Sequence, residues 1–150
     1  MKKSIVILIT VGVIITIIAT ASFSMMASEL SDYPLWMFES HVTDVIDGDT
    51  IEVDHVRIRL SLTSTPELDE KGGVKAKQFT SNLCPLGSLA RVVVDGGQPQ
   101  DQYGRMLAKV YCGDELLNSE LLEYDLATID KRFCSKSEFS GEDWAKKYGC

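Results

Sequence analysis

The chain has 150 residues and carries 15 Lys or Arg against 22 Asp or Glu, which gives a formal net charge of −7. This length suits one folded domain after a leader segment and leaves little room for a second. The acidic balance argues against the strongly basic surface that tight nucleic-acid binding usually needs, but it is compatible with a cation site.

The chain begins with a targeting or membrane segment. Lys2 and Lys3 precede an almost uninterrupted apolar run at residues 5–19, a pattern typical of such segments. The run is short for a membrane span of roughly 20 residues, and Ala-Thr-Ala at 19–21 matches a cleavage site. We therefore predict that residues 1–27 are a signal peptide or an uncleaved signal anchor. Both place the remainder outside the cytoplasm, secreted or membrane-anchored, because the lysines favour the cytoplasmic side.

Residues 28–38 are predicted to be a linker, which leaves 39–150 as the folded domain. All four cysteines lie in that domain, and an even number in an exported chain favours two disulfides. The alternatives are four free buried thiols and a zinc site, and the lack of any C-x-x-C spacing argues against zinc. The cysteines are Cys84, Cys112, Cys134 and Cys150.

Four segments have the pattern of strands. Apolar and polar residues alternate over 56–63, which predicts a strand with one buried face and with Arg59 on the other. Residues 51–53 predict the strand before it, joined by a tight turn. Runs rich in apolar and β-branched residues predict further strands at 89–94 and 106–112.

Helices are predicted between and after these strands. Residues 74–83 follow a pair of glycines and predict a helix. Asn118 is predicted to cap a short helix, and Ser140 has capping-box spacing before a last helix. Strands concentrated in the first two-thirds, with one helix inserted among them, predict an α+β, mainly β domain and suggest a small closed barrel.

Acidic and basic residues recur in a pattern that suits phosphate chemistry. Asp47-Gly48-Asp49 offers two carboxylates beside a glycine, and Thr65-Pro66-Glu67 fixes an acid just after a rigid proline. Carboxylate oxygens are the ligands that hard divalent cations prefer. Arg59 and Arg105 add guanidinium groups, which bind phosphate oxygens in pairs. Together these groups suit metal-assisted phosphodiester cleavage.

The order and spacing of these blocks closely resemble the staphylococcal nuclease (thermonuclease-like) family. The resemblance implies a five-stranded OB-fold barrel with about three helices and a calcium-dependent endonuclease that breaks the bond to the 5′-oxygen. It implies that Arg59, Glu67 and Arg105 are catalytic, the glutamate orienting the attacking water and the arginines contacting the scissile phosphate. It also implies that Asp49 and the carbonyl group of Thr65 bind calcium.

One position departs from the family pattern. Where an aspartate usually supplies the second charged metal ligand, this chain has Ser64. A hydroxyl group is neutral, and calcium affinity depends on the charge of the ligands. Asp47, Asp69 or additional waters could compensate. The alternative is loss of metal binding and, with it, loss of catalysis.

The substrate side is less faithful to the family. Tyr103 is similar to a family tyrosine that binds a nucleotide phosphate, whereas a lysine commonly found beside it is Gln102 here. The expected aromatic wall reads Lys-Arg-Phe at 131–133, so a preference for DNA or RNA cannot be carried over. The family packing of the first helix on a core strand implies Cys84–Cys112. Cys134–Cys150 would then close the terminal segment.

Two functions are compatible with these residues. The leading hypothesis is a monomeric, extracytoplasmic, calcium-dependent nuclease acting on DNA, RNA or both. The alternative is an inactive OB module that binds single-stranded nucleic acid or another anionic ligand at the cell surface. Without a role in phosphate binding, Arg59 would be a solvated strand residue and Arg105 would form an ion pair with Asp101.

Overall fold

The computed structural model describes residues 36–150, so the predicted signal segment at 1–27 lies outside the described residues. Within 36–150, no helix is long and apolar enough to cross a bilayer. The strands are Met37–Val45 (β1), Thr50–Val53 (β2), Val56–Leu60 (β3), Thr63–Ser64 (β4), Leu89–Val94 (β5), Met106–Cys112 (β6), Glu115–Leu116 (β7) and Thr128–Ile129 (β8). The α-helices are Gly73–Leu83 (α1), Leu117–Glu123 (α2) and Asp143–Tyr148 (α3), and 3₁₀ turns cover Lys131–Phe133 and Glu138–Gly141.

Five strands close into a barrel. The sheet order is β3-β2-β1-β5-β6-β7, and a further pairing of β3 with β6 closes the first five of these strands into a ring, with β7 paired outside it. That closing pair is parallel, with Ile58 opposite Met106, whereas the other pairs are antiparallel. Closure removes the open edges of the five strands. The predicted five-stranded barrel with three helices is confirmed.

The barrel interior is aliphatic because alternate residues of each strand point inward. Ile51, Ile58, Leu60 and Val110 are all fully buried, and each such side chain contributes roughly 1.5–3 kcal/mol by leaving water. Helices α1 and α2 cover the barrel and add residues such as Leu121 to the same core. This core fixes the strands that present the polar residues of the candidate site.

The predicted elements at 74–83, 89–94 and 106–112 are confirmed within one residue. Both capping predictions were wrong. Helix α2 has Leu116 as its N-cap, and Asn118 lies inside the helix because its side chain bonds to buried backbone groups of the barrel. Ser140 lies in a 3₁₀ turn, and α3 begins only after Glu142.

Both proposed disulfides are present, so the free-thiol and zinc alternatives are excluded. Cys84–Cys112 joins the end of α1 to β6 in the barrel core. Cys134–Cys150 closes the terminal segment, where the buried apolar cluster is small and includes Phe139 and Ala145. In the chain-entropy model, closing a loop of this size stabilises by roughly 3 kcal/mol, a large contribution for a segment with so little core.

Candidate active site

Asp49 lies in the turn between β1 and β2 and is 5% exposed. Gly48 is needed here for close packing, since a Cβ atom at that position would lie 2.6 Å from Ala76 Cβ and 2.8 Å from the Thr65 side chain. The Thr80 hydroxyl group donates to the Gly48 carbonyl oxygen at 2.6 Å. Helix α1 therefore fixes the position of the turn and of its carboxylate.

Both carboxylate oxygens of Asp49 have protein partners. Oδ2 accepts hydrogen bonds from the Thr65 backbone N–H (2.6 Å) and hydroxyl group (3.0 Å). Oδ1 lies 3.0 Å from Arg59 Nη1 and accepts from the Thr50 hydroxyl group at 3.3 Å. Burial raises the pKa of Asp49 to about 6, against the opposing effect of the Arg59 charge. This desolvated carboxylate depends on a positive partner for its charged form.

Asp47 reaches the same turn through the backbone. Its Oδ1 accepts a hydrogen bond from the Asp49 N–H at 3.0 Å, and its negative charge contributes to the raised pKa of Asp49. The structure therefore brings the two predicted acids together. The Asp47 carboxylate supports the turn in the same way as an Asx-turn side chain.

Arg59 is half-buried and bridges β3 to the segment that follows it. Nη1 donates to the Thr63 carbonyl oxygen at 2.6 Å, and Nη2 donates to the Ser64 hydroxyl group at 3.3 Å. Only 17% of its side chain is exposed. The interpretation of Arg59 as a solvated strand residue is therefore wrong, because the guanidinium group is held between Asp49 and the β4 backbone.

Arg105 forms the ion pair with Asp101 that was considered from the sequence, at 2.7 Å between Nε and Oδ2. Although burial acts to raise it, the pKa of Asp101 is held below its usual value by hydrogen bonds from the Arg105 backbone and side chain. Arg105 Nη1 also donates to the Thr50 hydroxyl group at 3.4 Å. Because Thr50 also donates to Asp49, this hydroxyl group links Arg105 to the acidic turn.

Glu67 lies in the exposed loop before α1. It faces a shallow cavity of about 630 Å³ that Tyr103 and Arg105 also line. The loop is held by Glu70, which accepts from the Glu67 N–H, and by Gly73, where a Cβ would lie 1.9 Å from the Glu67 carbonyl oxygen. Within residues 36–150, the Glu67 carboxylate has no hydrogen-bond partner.

A deeper cavity of about 590 Å³ lies beside the arginines. Arg59, Arg105 and Tyr103 line it on the barrel side, and Tyr103 and Arg105 are common to both cavities. The other side comes from the terminal segment, with Arg132 and Phe133 among its lining residues. The predicted catalytic and substrate residues thus meet at two adjoining cavities.

Two buried residues that position the site were missed from the sequence. Asp95 is fully buried and accepts from the Ser61 hydroxyl group (2.6 Å) and from three backbone N–H groups, including that of Glu138. Asn118 donates to the Ser61 carbonyl oxygen at 2.9 Å and accepts from the Val110 N–H at 3.0 Å. Both fix Ser61, at the start of the segment that contains Ser64 and Thr65. The local sequence signals were a turn at Asp95 and a helix cap at Asn118, and neither indicated a contact with Ser61.

The oxygen atoms around Asp49 are the kind of ligand that a hard cation prefers, but together they carry little negative charge. Asp47, Ser64 and Thr65 offer further oxygens nearby, and such ligands suit calcium. However, the two oxygens of the single buried carboxylate already have partners. Over residues 36–150, no group of three His, Cys, Asp or Glu side chains is placed to hold a metal ion. This donor set is suited to a weakly held cation.

Residues 57–147 match the family model described as staphylococcal nuclease homologue. The chain belongs to this family. The chain is 38% identical to the thermonuclease of Staphylococcus intermedius over 96 residues, and this match covers 57% of the chain and 56% of that protein. It is 33% identical over 94 residues to endonuclease YncB of Bacillus subtilis (strain 168), covering 56% and 44%, respectively. It is also 35% identical over 96 residues to the thermonuclease of Staphylococcus hyicus, covering 57% and 56%. The chain spans about half the length of these curated relatives.

Proposed function

We propose that this staphylococcal nuclease homologue is a calcium-dependent nuclease that hydrolyses phosphodiester bonds of DNA, RNA or both. One observation carries the proposal: Asp49 contacts Arg59 directly, and the Thr50 hydroxyl group links Asp49 to Arg105, which lines the cavity that Glu67 faces. Family membership and the names of the relatives, thermonuclease and endonuclease, support the same class of activity.

Calcium would be held by Asp49 and the Thr65 carbonyl oxygen, with Ser64 and Asp47 as further oxygen donors. When bound, the ion supplies positive charge that polarises a phosphate group. Before Asp49 can act as a ligand, Arg59 must release the carboxylate oxygen that it contacts at 3.0 Å. The low charge of the donor set predicts weak calcium binding.

The chain's own residues would bind the phosphate and move the proton. Arg59, once released, and Arg105 would donate to the phosphate oxygens and neutralise charge that develops in the transition state. The free carboxylate of Glu67 would accept a proton from the water that attacks phosphorus in line. The bond to the 5′-oxygen would then break. Arg105 can keep its contact with Asp101, which uses only the backbone N–H and Nε.

We also propose that the domain works outside the cytoplasm as a monomer, either secreted or membrane-anchored through residues 1–27. Two disulfides support this location because they persist in oxidising compartments. The apolar run after Lys2 and Lys3 supports export.

One observation favours the alternative, an inactive module that binds nucleic acid or another anionic ligand. Arg59 already forms an ion pair with the Asp49 carboxylate, and the Ser64 hydroxyl group is neutral. The negative charge of the site is therefore balanced without a metal ion. The net charge of −7 opposes this alternative, because OB modules that bind single strands rely on basic grooves.

Cleavage assays separate the two functions. Purified protein is incubated with plasmid DNA and with RNA, with added calcium or with a chelator, and Glu67→Gln is compared with the exposed control Glu115→Gln. We expect calcium-dependent cleavage that Glu67→Gln abolishes and Glu115→Gln retains. Binding without cleavage in every condition would contradict the nuclease proposal and support the alternative.

A further inference from the structure

The two disulfides lie in opposite surroundings. Cys84 is fully buried, Cys112 is nearly so, and both belong to the apolar core of the barrel. Cys134 and Cys150 are each only partly buried, outside that core. A thiolate that attacks a disulfide must reach one of its sulfur atoms, so access controls the rate of thiol–disulfide exchange. The terminal disulfide is therefore the accessible one of the two.

Positive charge also surrounds the terminal disulfide. Lys131 and Lys136 flank Cys134 in sequence, and neither forms an ion pair within residues 36–150. The Lys131 ammonium group lies against Gly149, next to Cys150, since a Cβ atom at Gly149 would be 2.7 Å from Lys131 Nζ. Nearby cations stabilise a thiolate, and a stabilised thiolate leaves a disulfide faster. Uncharged residues flank both cysteines of the core disulfide.

The terminal segment, residues 128–150, pairs directly with the strand that follows Arg59. Strand β8 pairs with β4, so that Ile129 lies opposite Thr63. The Thr63 carbonyl oxygen accepts a hydrogen bond from Arg59 Nη1 at 2.6 Å. The position of the Arg59 guanidinium group therefore depends on a strand whose partner belongs to the terminal segment.

Leu62 forms a second connection between the terminal segment and the site. Its φ of 61° lies in the left-handed region, which is unfavourable for leucine and persists only where the surroundings impose it. Those surroundings come from the terminal segment: the side chain belongs to the same buried cluster as Phe139 and Ala145. The Leu62 carbonyl oxygen also accepts from the Asp130 N–H at 2.8 Å. Loosening the segment would let this backbone relax.

Apart from the disulfide, the terminal segment is weakly held. Its α-helix, α3, has six residues, and a helix shorter than about 12 residues is not stable by itself. Its buried apolar cluster is small. Polar contacts supply the other connections to the barrel, such as the ion pair of Lys109 with Glu142 at 2.6 Å. The Cys134–Cys150 disulfide is therefore a principal restraint on the segment.

We propose that Cys134–Cys150 is a reversible thiol-exchange site that controls the active site, with an external dithiol as its reactant. One thiolate of the dithiol attacks Cys150 Sγ, and Cys134 leaves as a thiolate. The second thiolate attacks the dithiol sulfur of this mixed disulfide, and Cys150 leaves in turn. The dithiol loses two electrons and becomes a disulfide, while the protein gains them and the two cysteines take up the two protons that the dithiol released.

Reduction would act on the site through the terminal segment. Once the segment is loose, Leu62 relaxes and Thr63 no longer holds the Arg59 guanidinium group in place. A displacement of about 1 Å in a group that positions the substrate can lower a rate on the order of 100-fold. Because cysteines stay reduced in the cytoplasm, the exchange would confine cleavage to the oxidising side of the membrane. This inference rests on the proposed function and assigns its regulation.

Selective reduction and hydrogen exchange test the proposal without relying on cleavage. The oxidised protein is treated with increasing dithiothreitol, the free thiols are alkylated, and peptide mapping identifies the labelled cysteines. Amide hydrogen exchange of residues 61–65 is followed in the oxidised protein, in the selectively reduced protein and in Cys134→Ser/Cys150→Ser, which is permanently open. Cleavage of an oligonucleotide with calcium is measured in the same samples, and melting curves show whether the barrel stays folded.

We expect Cys134 and Cys150 to react at dithiothreitol concentrations about tenfold lower than Cys84 and Cys112 do. Hydrogen exchange at residues 61–65 should become faster, with exchange in β5 unchanged. The kcat should fall about 10- to 100-fold with a smaller change in KM, and reoxidation should restore it. Cys134→Ser/Cys150→Ser should match the reduced protein and should not respond to dithiothreitol.

Reduction of both disulfides at the same dithiothreitol concentration would overturn the proposal. Unchanged hydrogen exchange at residues 61–65 after selective reduction would also overturn it, as would an unchanged kcat in a protein that cleaves. Melting of the opened protein below the assay temperature would overturn it as well, because the loss of cleavage would then reflect unfolding. Faster exchange at residues 61–65 in a protein that cleaves nothing would support the exchange site and contradict the nuclease proposal.

Discussion

The two acids at the candidate site are held in opposite ways. The Asp49 carboxylate is buried and contacts Arg59, Thr50 and Thr65, whereas the Glu67 carboxylate is exposed and has no hydrogen-bond partner within residues 36–150. Groups fixed by folding are preorganised, which strengthens electrostatic stabilisation of a transition state. We infer that the ligand-binding part of the site depends on barrel packing and that the water-activating part depends on a surface loop.

Removing either arginine should have the largest effect on turnover. Arg59→Ala and Arg105→Ala should each lower the cleavage rate by at least about 100-fold, because each removes a donor to the charge that develops on phosphate. The measurement is kcat on a single-stranded oligonucleotide at saturating calcium.

Arg91→Ala is the matched control, since Arg91 lies on β5 over the Tyr111 ring and lines neither cavity. Arg57 is unsuitable because residues two apart in a strand share a face, and it lines the cavity with Glu67. Similar losses for Arg59, Arg105 and Arg91 would indicate a general charge effect and contradict the assigned roles.

The free energy of unfolding should show that Asp49 and Glu67 are held differently. Arg59→Ala leaves the buried Asp49 carboxylate without its ion-pair partner, so the free energy of unfolding should fall by about 3 kcal/mol at neutral pH without calcium. Glu67→Gln should change it by less than about 0.5 kcal/mol because the side chain is exposed. Urea denaturation measures both. Equal effects would show that the acids are not held differently.

Removing the terminal disulfide should destabilise the protein about as much as Arg59→Ala does. Cys134→Ser/Cys150→Ser should lower the free energy of unfolding by about 3 kcal/mol, because it frees a loop with a sequence separation of 16 residues. Cys84→Ser/Cys112→Ser should cost more, since that bridge is longer-range and lies in the barrel core. Denaturation curves compare them, and a larger loss at the terminal bridge would contradict this order.

The smallest effect concerns the charge of the cation site. Ser64→Asp should tighten calcium binding by about tenfold, because it adds one negative charge beside Asp49 and Arg59. Calorimetric titration measures the affinity, and Ser64→Asn serves as the neutral control. Unchanged affinity in Ser64→Asp would show that Ser64 does not contact the cation.

Local patterns predicted the barrel and the contents of the site. Strand β3 was predicted from apolar periodicity and strands β5 and β6 from apolar and β-branched runs, and closure followed from the resemblance that Asp49, Arg59 and Glu67 carry. In the structure, Arg59 and Glu67 line adjoining cavities, and Asp49 contacts Arg59. Such residues are readable from sequence because each lies in a short block with a recognisable chemical pattern.

Residues that act over long sequence separations were not predicted. Asn118 looks like a helix cap, but 57 residues separate it from the Ser61 carbonyl group to which it donates. Asp95 looks like a turn residue, yet it also holds Glu138, 43 residues away. A local signal cannot show which backbone groups the fold leaves unpaired in the core, and those groups determined both positions.

The most direct test is a crystal structure of Glu67→Gln with calcium and a single-stranded oligonucleotide. The account predicts a cation at Asp49 and the Thr65 carbonyl oxygen, with Arg59 moved from Asp49 to the phosphate that Arg105 also contacts. An intact Arg59–Asp49 ion pair, with the phosphate bound elsewhere and no cation at Asp49, would contradict it.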